Sequence, residues 1–334
     1  MNKMQFLLTG VGVSVLAVST LFIQRHKEIN PNFEKFRAEY SNEETQEIQG
    51  ALNYYNQLNA NQITGKIDQQ AVVDARQQAQ TLAAKSFKKT RAFANMKWSE
   101  NGPNNVGGRT RTLIADKNIA NKFYMGAVGG GFWISTDNGN TWSKRAGNDS
   151  STAISISSIA QASNGDIYYG TGEGIGGFAG SSWVAQIFQL GEGIFKSTDG
   201  GATFTQLAST KPSNLNSATE QWSYVDKIVT DPNNADRVIA ATYGGLKITT
   251  NGGTTWAKPA SLNASSHFKD VEISTDGSKV IACTGSNFYL STDGGVTFSG
   301  NLMGSNGLPA SGVARRIELA IAPSDGNTMY MAIA

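Results

Sequence analysis

The sequence predicts a mainly β protein: a β-propeller of four-stranded blades, preceded by a short α-helical segment. Two observations carry that expectation. An eight-residue phrase recurs four times, as STDNGNTW from Ser135 to Trp142, STDGGATF from Ser197 to Phe204, TTNGGTTW from Thr249 to Trp256 and STDGGVTF from Ser291 to Phe298. Paired apolar runs alternate with these phrases along the chain, and repetition of this kind means an array of like units. Within each phrase the acid or amide at the third position (Asp137, Asp199, Asn251, Asp293) can turn back onto nearby backbone N–H groups. The glycine at the fifth (Gly139, Gly201, Gly253, Gly295) supplies a positive φ, and the closing aromatic (Trp142, Phe204, Trp256, Phe298) re-enters a pleated surface.

Composition narrows the function classes. The chain has 334 residues and a formal charge of +2, a balance that implies neither nucleic acid nor an acidic surface as partner. Its single cysteine, Cys283, ends an apolar strand-like run and reads as a small buried hydrophobe, so no disulfide framework exists within the chain.

Residues 1–24 open with Lys3 and an almost uninterrupted apolar stretch from Met4 to Ile23, long enough for a membrane span or the core of an export signal. Either reading sends the remainder out of the cytoplasm, to the extracellular space or outer cell surface. Residues 25–96 change grammar, with few glycines and many Glu, Gln, Lys and Ala. Helical spacing is visible at Phe33, Phe36 and Tyr40, then at Ile48, Leu52, Tyr55 and Leu58. A third helix opens at Ile67-Asp68, with Val72, Val73, Ala75 and Ala79 facing one way and Thr64-Gly65 as the turn before it. This segment reads as a helical spacer or pro-segment, or as a partner-binding helical module.

Residues 97–334 read as strands. Five pairs are expected: Arg111–Ile114 with Lys122–Met125, Ala153–Ile156 with Asp166–Tyr169, Val225–Val229 with Arg237–Ala240, Lys269–Ile273 with Lys279–Ala282, and Ile317–Ile321 with Thr328–Met331. The first four are each followed by a phrase hairpin, giving four strands per unit, which is a propeller blade. The fifth pair leaves half a blade with open strand edges, which folded proteins avoid. The expectation is therefore further blades of the same chain, or a partner chain covering the edge.

The phrase S-x-D-x-G-x-[TS]-[WF] resembles the Asp-box, or bacterial neuraminidase repeat, of sialidases, sortilin-type receptors and related β-propellers. In that family the box is a structural hairpin away from the ligand face. The opening Trp98 to Arg111 and the helical preface with Thr64-Gly65-Lys66-Ile67-Asp68 resemble large exported Asp-box proteins of Bacteroidetes, many of which carry a type IX secretion sorting domain. The resemblance, over about residues 50–334, implies a secreted or surface-displayed binding propeller, with the export machinery and a protein, peptide or glycan ligand as partners.

Strand parity locates the working face. With strands lettered A to D from the centre outward, A–B and C–D turns share one face, and B–C loops and D–A crossovers share the other. Length accumulates on the second, above all in the insertion from Gly174 to Glu192 with Phe178, Trp183 and Phe188. Loops grown on a rigid scaffold are the usual place for binding. Glu173, at the start of the insertion, is the leading polar site candidate, against a solvated or turn-bonded role. Trp183 is a ligand platform or a pin for the insertion. Arg109 either projects toward the central channel to hold an anion or, with Arg111, pairs with carbonyls or acids at the blade start.

No cofactor and no metal site is expected. Each phrase offers at most one acid, whereas calcium takes about six to eight oxygens. The rival to a binder is a glycosidase. Sialidases, however, need an arginine triad and an early Arg-Ile-Pro motif, which is absent. Xyloglucanase-like hydrolases need two carboxylates; Glu173 and Glu192 are available, though in no matching motif. Only His26 and His267 could serve protease or metal chemistry as imidazoles, which disfavours both.

Overall fold

A computed structural model describes residues 61, 63–65, 68–86, 109–144, 155–174, 190–262, 266–305, 307–312 and 316–334. The leader, the first two expected helices and the aromatic residues Phe178, Trp183 and Phe188 lie outside the described residues. The chain divides into two compact units, Met1–Ile67 and Asp68–Ala334. In the first, Thr64-Gly65 forms the expected turn, with Gly65 at φ +63° donating its N–H to the Asn61 carbonyl at 2.8 Å.

The second unit opens with helix α1 (Gln69–Ser86). Asp68 caps it, its Oδ1 accepting the N–H groups of Gln70 at 3.0 Å and Ala71 at 3.4 Å. The expected apolar face is narrower than its spacing suggested: Val73 is buried and Val72 half-buried, but Ala75 and Ala79 are exposed. A methyl group gives an alanine little apolar area to bury, so it does not dictate which way a helix faces.

Among the described residues, sixteen strands follow in five antiparallel sheets. β1 (Thr110–Ala115), β2 (Phe123–Ala127), β3 (Gly131–Ser135) and β4 (Ser143–Lys144) form the first blade; β5 (Ile156–Gln161), β6 (Ile167–Thr171), β7 (Ile194–Ser197) and β8 (Thr205–Gln206) form the second. β9 (Val225–Thr230), β10 (Val238–Thr242) and β11 (Gly245–Thr249) form the third, and β12 (Asp270–Ile273), β13 (Val280–Cys283) and β14 (Phe288–Ser291) the fourth. β15 (Ile317–Ala322) pairs with β16 (Asp325–Ile333) in the fifth. The outermost strand is short throughout. It shrinks to a bridge between Ile248 and Ala257 in the third blade, and to a 2.8 Å bond from Ser299 N–H to the Leu290 carbonyl in the fourth.

Of the expected strand Ala153–Ile156, Ala153 and Ile154 lie outside the described residues. The innermost described strand of blade two is Ile156–Gln161, although ISSIAQ looks too polar for a strand buried along its whole length. Its hydroxyls explain this: Ser157 Oγ donates to the Val225 carbonyl, and Ser158 Oγ accepts Ile228 N–H at 2.9 Å. The same position recurs in other blades. Thr112 Oγ1 accepts Ile159 N–H at 3.2 Å, and Asp270 Oδ2 accepts Leu319 N–H at 2.7 Å. Buried polar groups are tolerated where they are bonded, and here the bonds stitch each inner strand to the next.

The core lies between blades. Tyr124, Phe132, Ile159, Tyr169, Phe195 and Phe204 fill the space between the first and second. Phe268, Val271, Tyr289 and Phe298 pack with Ile239 and Leu246 between the third and fourth. Cys283 is buried in the layer between the fourth and fifth, and burial pushes its thiol pKa up, as expected of a structural cysteine.

The four phrases fold alike. In the first, Ser135 Oγ donates to Asp137 Oδ1 at 2.8 Å and accepts Gly139 N–H at 2.9 Å, while Asp137 accepts Thr141 N–H at 2.8 Å and Thr141 Oγ1 at 2.6 Å. Asp199 and Asp293 repeat this with Thr203 and Thr297. Asn251 preserves it by reversing one bond, its Nδ2 donating to Thr255 Oγ1 at 2.9 Å. The fourth and fifth residues both have positive φ, from Asn138 at +61° and Gly139 at +84° in the first phrase to Gly294 at +71° and Gly295 at +91° in the last. The positive-φ pair forms a tight turn inside the eight-residue loop that joins the two strands, Ile134 and Ser143 being the last residues paired in the first blade. The hydroxyl and N–H donors of Thr141 and Thr297 hold the Asp137 and Asp293 carboxyls down at about 2. For Asp199 burial pulls the other way, but the Thr203 bonds outweigh it, and its carboxyl also lies at about 2.

Candidate functional site

Hydrogen bonds between loops define two faces. Three of the four phrase turns bond to the A–B turn of their own blade: Asn138 N–H to the Asn121 carbonyl, Gly252 N–H to that of Asp236, and Gly294 N–H to that of Ser278. At the other end the loops after the second strands bond to the crossovers: Gly191 N–H to the Ser223 carbonyl, Tyr243 N–H to Tyr224, and Phe268 N–H to Thr242. The first is the turn face and the second the crossover face.

Glu173 lies on the crossover face, just beyond the end of β6, and is buried rather than solvated. Its Oε1 meets Arg109 Nη2 of the first blade at 3.3 Å. Of the two expectations for Arg109, pairing with an acid is the one observed. Glycine makes room for this arrangement. Gly172 has φ +92°, and a Cβ there would run into the Ser223 carbonyl and Gly191 backbone. The sequence shows the pattern twice, as Gly172-Glu173-Gly174 and Gly191-Glu192-Gly193, and both glutamates are buried. Glu192 is anchored through its backbone: its N–H donates to Thr171 Oγ1 at 2.7 Å, and its carbonyl accepts Gln206 Nε2 at 2.6 Å.

Three further residues join Glu173 and Arg109 at this end. Asp226, second in β9, is buried, and His267 Nε2 hydrogen-bonds its Oδ2. Lys269, just ahead of β12, donates to the Gly174 carbonyl at 2.8 Å and lies 3.0 Å from His267 Nδ1 and 3.1 Å from Nε2. The rings of Tyr224 and Tyr243 flank His267 at centroid distances of 6.0 and 5.1 Å. Burial lowers the Lys269 pKa, opposed by the charges of Asp226 and Glu173 and reinforced by Arg111. Asp226 Oδ1 and Ser155 Oγ are buried without a hydrogen-bond partner among the described residues. The cluster thus draws on four consecutive blades and offers donors, acceptors and aromatic rings together.

Asp226, His267 and Lys269 are not candidates on sequence grounds, because Asp226 stands one blade away from the other two and no local motif marks any of them. The available signals are an acid in the buried run Val225-Asp226-Lys227 and the placement of His267 two residues before Lys269. Among the described residues no group of three or more His, Cys, Asp or Glu side chains could hold a metal ion, and no helix is long and apolar enough to cross a membrane.

No known protein family matches the chain, and no curated protein matches it. Solved structures similar to it include an ancestral GH74 enzyme, at 21% identity and TM-score 0.49 over 68% of this chain and 28% of that one. The Niastella koreensis GH74 enzyme aligns at 23% identity and TM-score 0.47, covering 68% of this chain and 33% of that one. YCF48 bound to D1 peptide aligns at 16% identity and TM-score 0.43, covering 72% and 66%. The chain therefore spans about a third or less of the GH74 enzymes.

Proposed function

We propose that this protein is a secreted or cell-surface binding propeller that takes a protein, peptide or glycan ligand on its crossover face. Glu173 and Arg109 are ligand contacts in this reading, with Phe178, Trp183 and Phe188 of the adjoining insertion. The observation that carries it is the convergence of Arg109, Glu173, Asp226, His267 and Lys269 at one end of the blades. The shared bonding of the four phrases supports their identity as Asp-boxes, and with it a sortilin-like domain exported through an N-terminal signal, by a type IX route in the relatives it resembles.

One observation favours a second reading, a glycoside hydrolase of sialidase or xyloglucanase type. Glu173 and Asp226 are both buried, and both bear on the Lys269 charge, so two carboxylates share the site. Glycan and peptide arrays, followed by incubation with fluorogenic sialosides and β-glucans, separate the two. Saturable binding without turnover, weakened at least about tenfold by Glu173→Gln and by Trp183→Ala, is expected. Turnover abolished by Glu173→Gln would overturn the binder.

A further inference from the structure

The crossover cluster contains one contact that acid would not leave in place. Lys269 Nζ is nearly equidistant from the two ring nitrogens of His267, at 3.0 and 3.1 Å, and also holds the Gly174 carbonyl at 2.8 Å. An ammonium nearly equidistant from both ring nitrogens lies over the ring face, where a neutral imidazole with its Nε2–H donating to Asp226 Oδ2 accommodates it. A protonated imidazole would set a second positive charge directly against it. The two cations would then stand about one hydrogen-bond length apart, with Asp226 as the carboxylate in contact with the ring.

We propose that protonation of His267 drives Lys269 off the Gly174 carbonyl, and that this contact makes the crossover face respond to pH. The inference rests on the reading that this face binds the ligand, and supplies its regulation. The remaining charged and titratable groups around the pair bear on which cation moves. Asp226, from β9, holds the imidazole in place. Glu173 and Arg111 act on Lys269 from the neighbouring blades, Glu173 is itself occupied by Arg109, and the Tyr224 and Tyr243 rings flank the histidine. Lys269 carries the charge that burial disfavours, and its flexible stem can swing out, so the lysine moves and the histidine stays.

Gly174 is positioned to report the event. A Cβ on it would lie 2.9 Å from Asp226 Oδ1 and 3.1 Å from His267 Cε1, so only a residue without a side chain fits this close to the carboxylate and the ring. Once Lys269 leaves, the Gly174 carbonyl needs a new donor, and water reaching it can also satisfy Asp226 Oδ1.

Hydrogen exchange on the full chain tests this without any ligand. Amide protection over Thr171–Gly174, corrected for intrinsic exchange, is expected to fall at least about tenfold from about pH 8 to about pH 5.5 and to stay level in His267→Gln. No fall in the wild type, or an equal fall in His267→Gln, overturns the proposal. Should His267→Gln fail to fold, Lys269→Met serves instead. It removes the second cation and the Gly174 donor together, so protection is expected to be low at both pH values. Retention of the wild-type fall in Lys269→Met likewise overturns the proposal. Because no ligand is present, a negative exchange result leaves the binding reading standing, and a negative array result leaves the exchange result standing.

Discussion

The two faces of the propeller are built from the same residue types to opposite ends. On the turn face, Asp137, Asp199 and Asp293 are each saturated by a serine and a threonine within four residues in sequence. On the crossover face, the partners of Glu173 and Asp226 come from other blades, and Asp226 Oδ1 has none among the described residues. The first arrangement completes itself locally and leaves nothing for a ligand. The second depends on the assembled ring and leaves polar capacity unused. Acids that close turns and acids of the proposed site are thus distinguished by where their partners come from.

Glycine substitutions give the largest expected contrast between the faces. Gly139 on the turn face and Gly172 on the crossover face both have positive φ, so alanine costs each about 1 kcal/mol or more in backbone strain. At Gly139 a new Cβ would meet nothing closer than Trp142 Cζ2 at 3.9 Å, whereas at Gly172 it strikes the backbone of Ser223 and Gly191. Gly172→Ala should therefore destabilise by roughly 3 kcal/mol more than Gly139→Ala in chemical denaturation. Equal losses would show that the crossover backbone yields more readily than its packing implies.

A smaller effect separates the acids by pH. Burial, aided by the Glu272 and Glu318 charges, raises the Asp270 carboxyl from 3.8 to about 6, although Lys227 and the Leu319 N–H act against it. Between those values the folded state binds more protons than the unfolded one. Stability should therefore rise as pH falls from about 6 toward about 3.8, by on the order of 2–3 kcal/mol from this group alone. The phrase acids have the opposite sign. Their pKa values are depressed to about 2, so the stability they contribute is present above 3.8 and lost as pH falls toward 2. Asp270→Asn should flatten the upper window while leaving the acid limb intact. A wild-type curve already flat between pH 6 and 4 would show that Asp270 is not raised.

The same division governs what was legible in the sequence. Every group that closes a phrase turn lies within eight consecutive residues, so the hairpins and the blade count follow from local pattern. The strand Ile156–Gln161 resisted that reading because Ser157 and Ser158 find their partners in the next blade, at Val225 and Ile228. Glu173 stood out through its flanking glycines and its place at the start of the insertion. Asp226, His267 and Lys269 are brought together only by ring geometry, across separations of up to 43 residues in sequence. A single chain read linearly carries no trace of that approach.

The smallest expected change in stability is also the sharpest test of the division. Replacing Glu173 by Gln keeps its volume and an acceptor for Arg109, whose side chain is 57% exposed, so the lost ion pair should cost under about 1 kcal/mol. Asp199→Asn should be similarly mild, because Asn251 already occupies the equivalent position and keeps the turn bonded through its amide. Two acid-to-amide changes of comparable thermal effect then stand on opposite faces. Ligand binding, measured by titration with whichever array probe binds the wild type, should weaken at least about tenfold in Glu173→Gln and remain unchanged in Asp199→Asn. Loss in both would mean that binding tracks the stability of the blades. Loss in Asp199→Asn alone would move the ligand to the turn face and reverse the assignment, because a saturated turn acid would then be doing what is proposed for the crossover cluster.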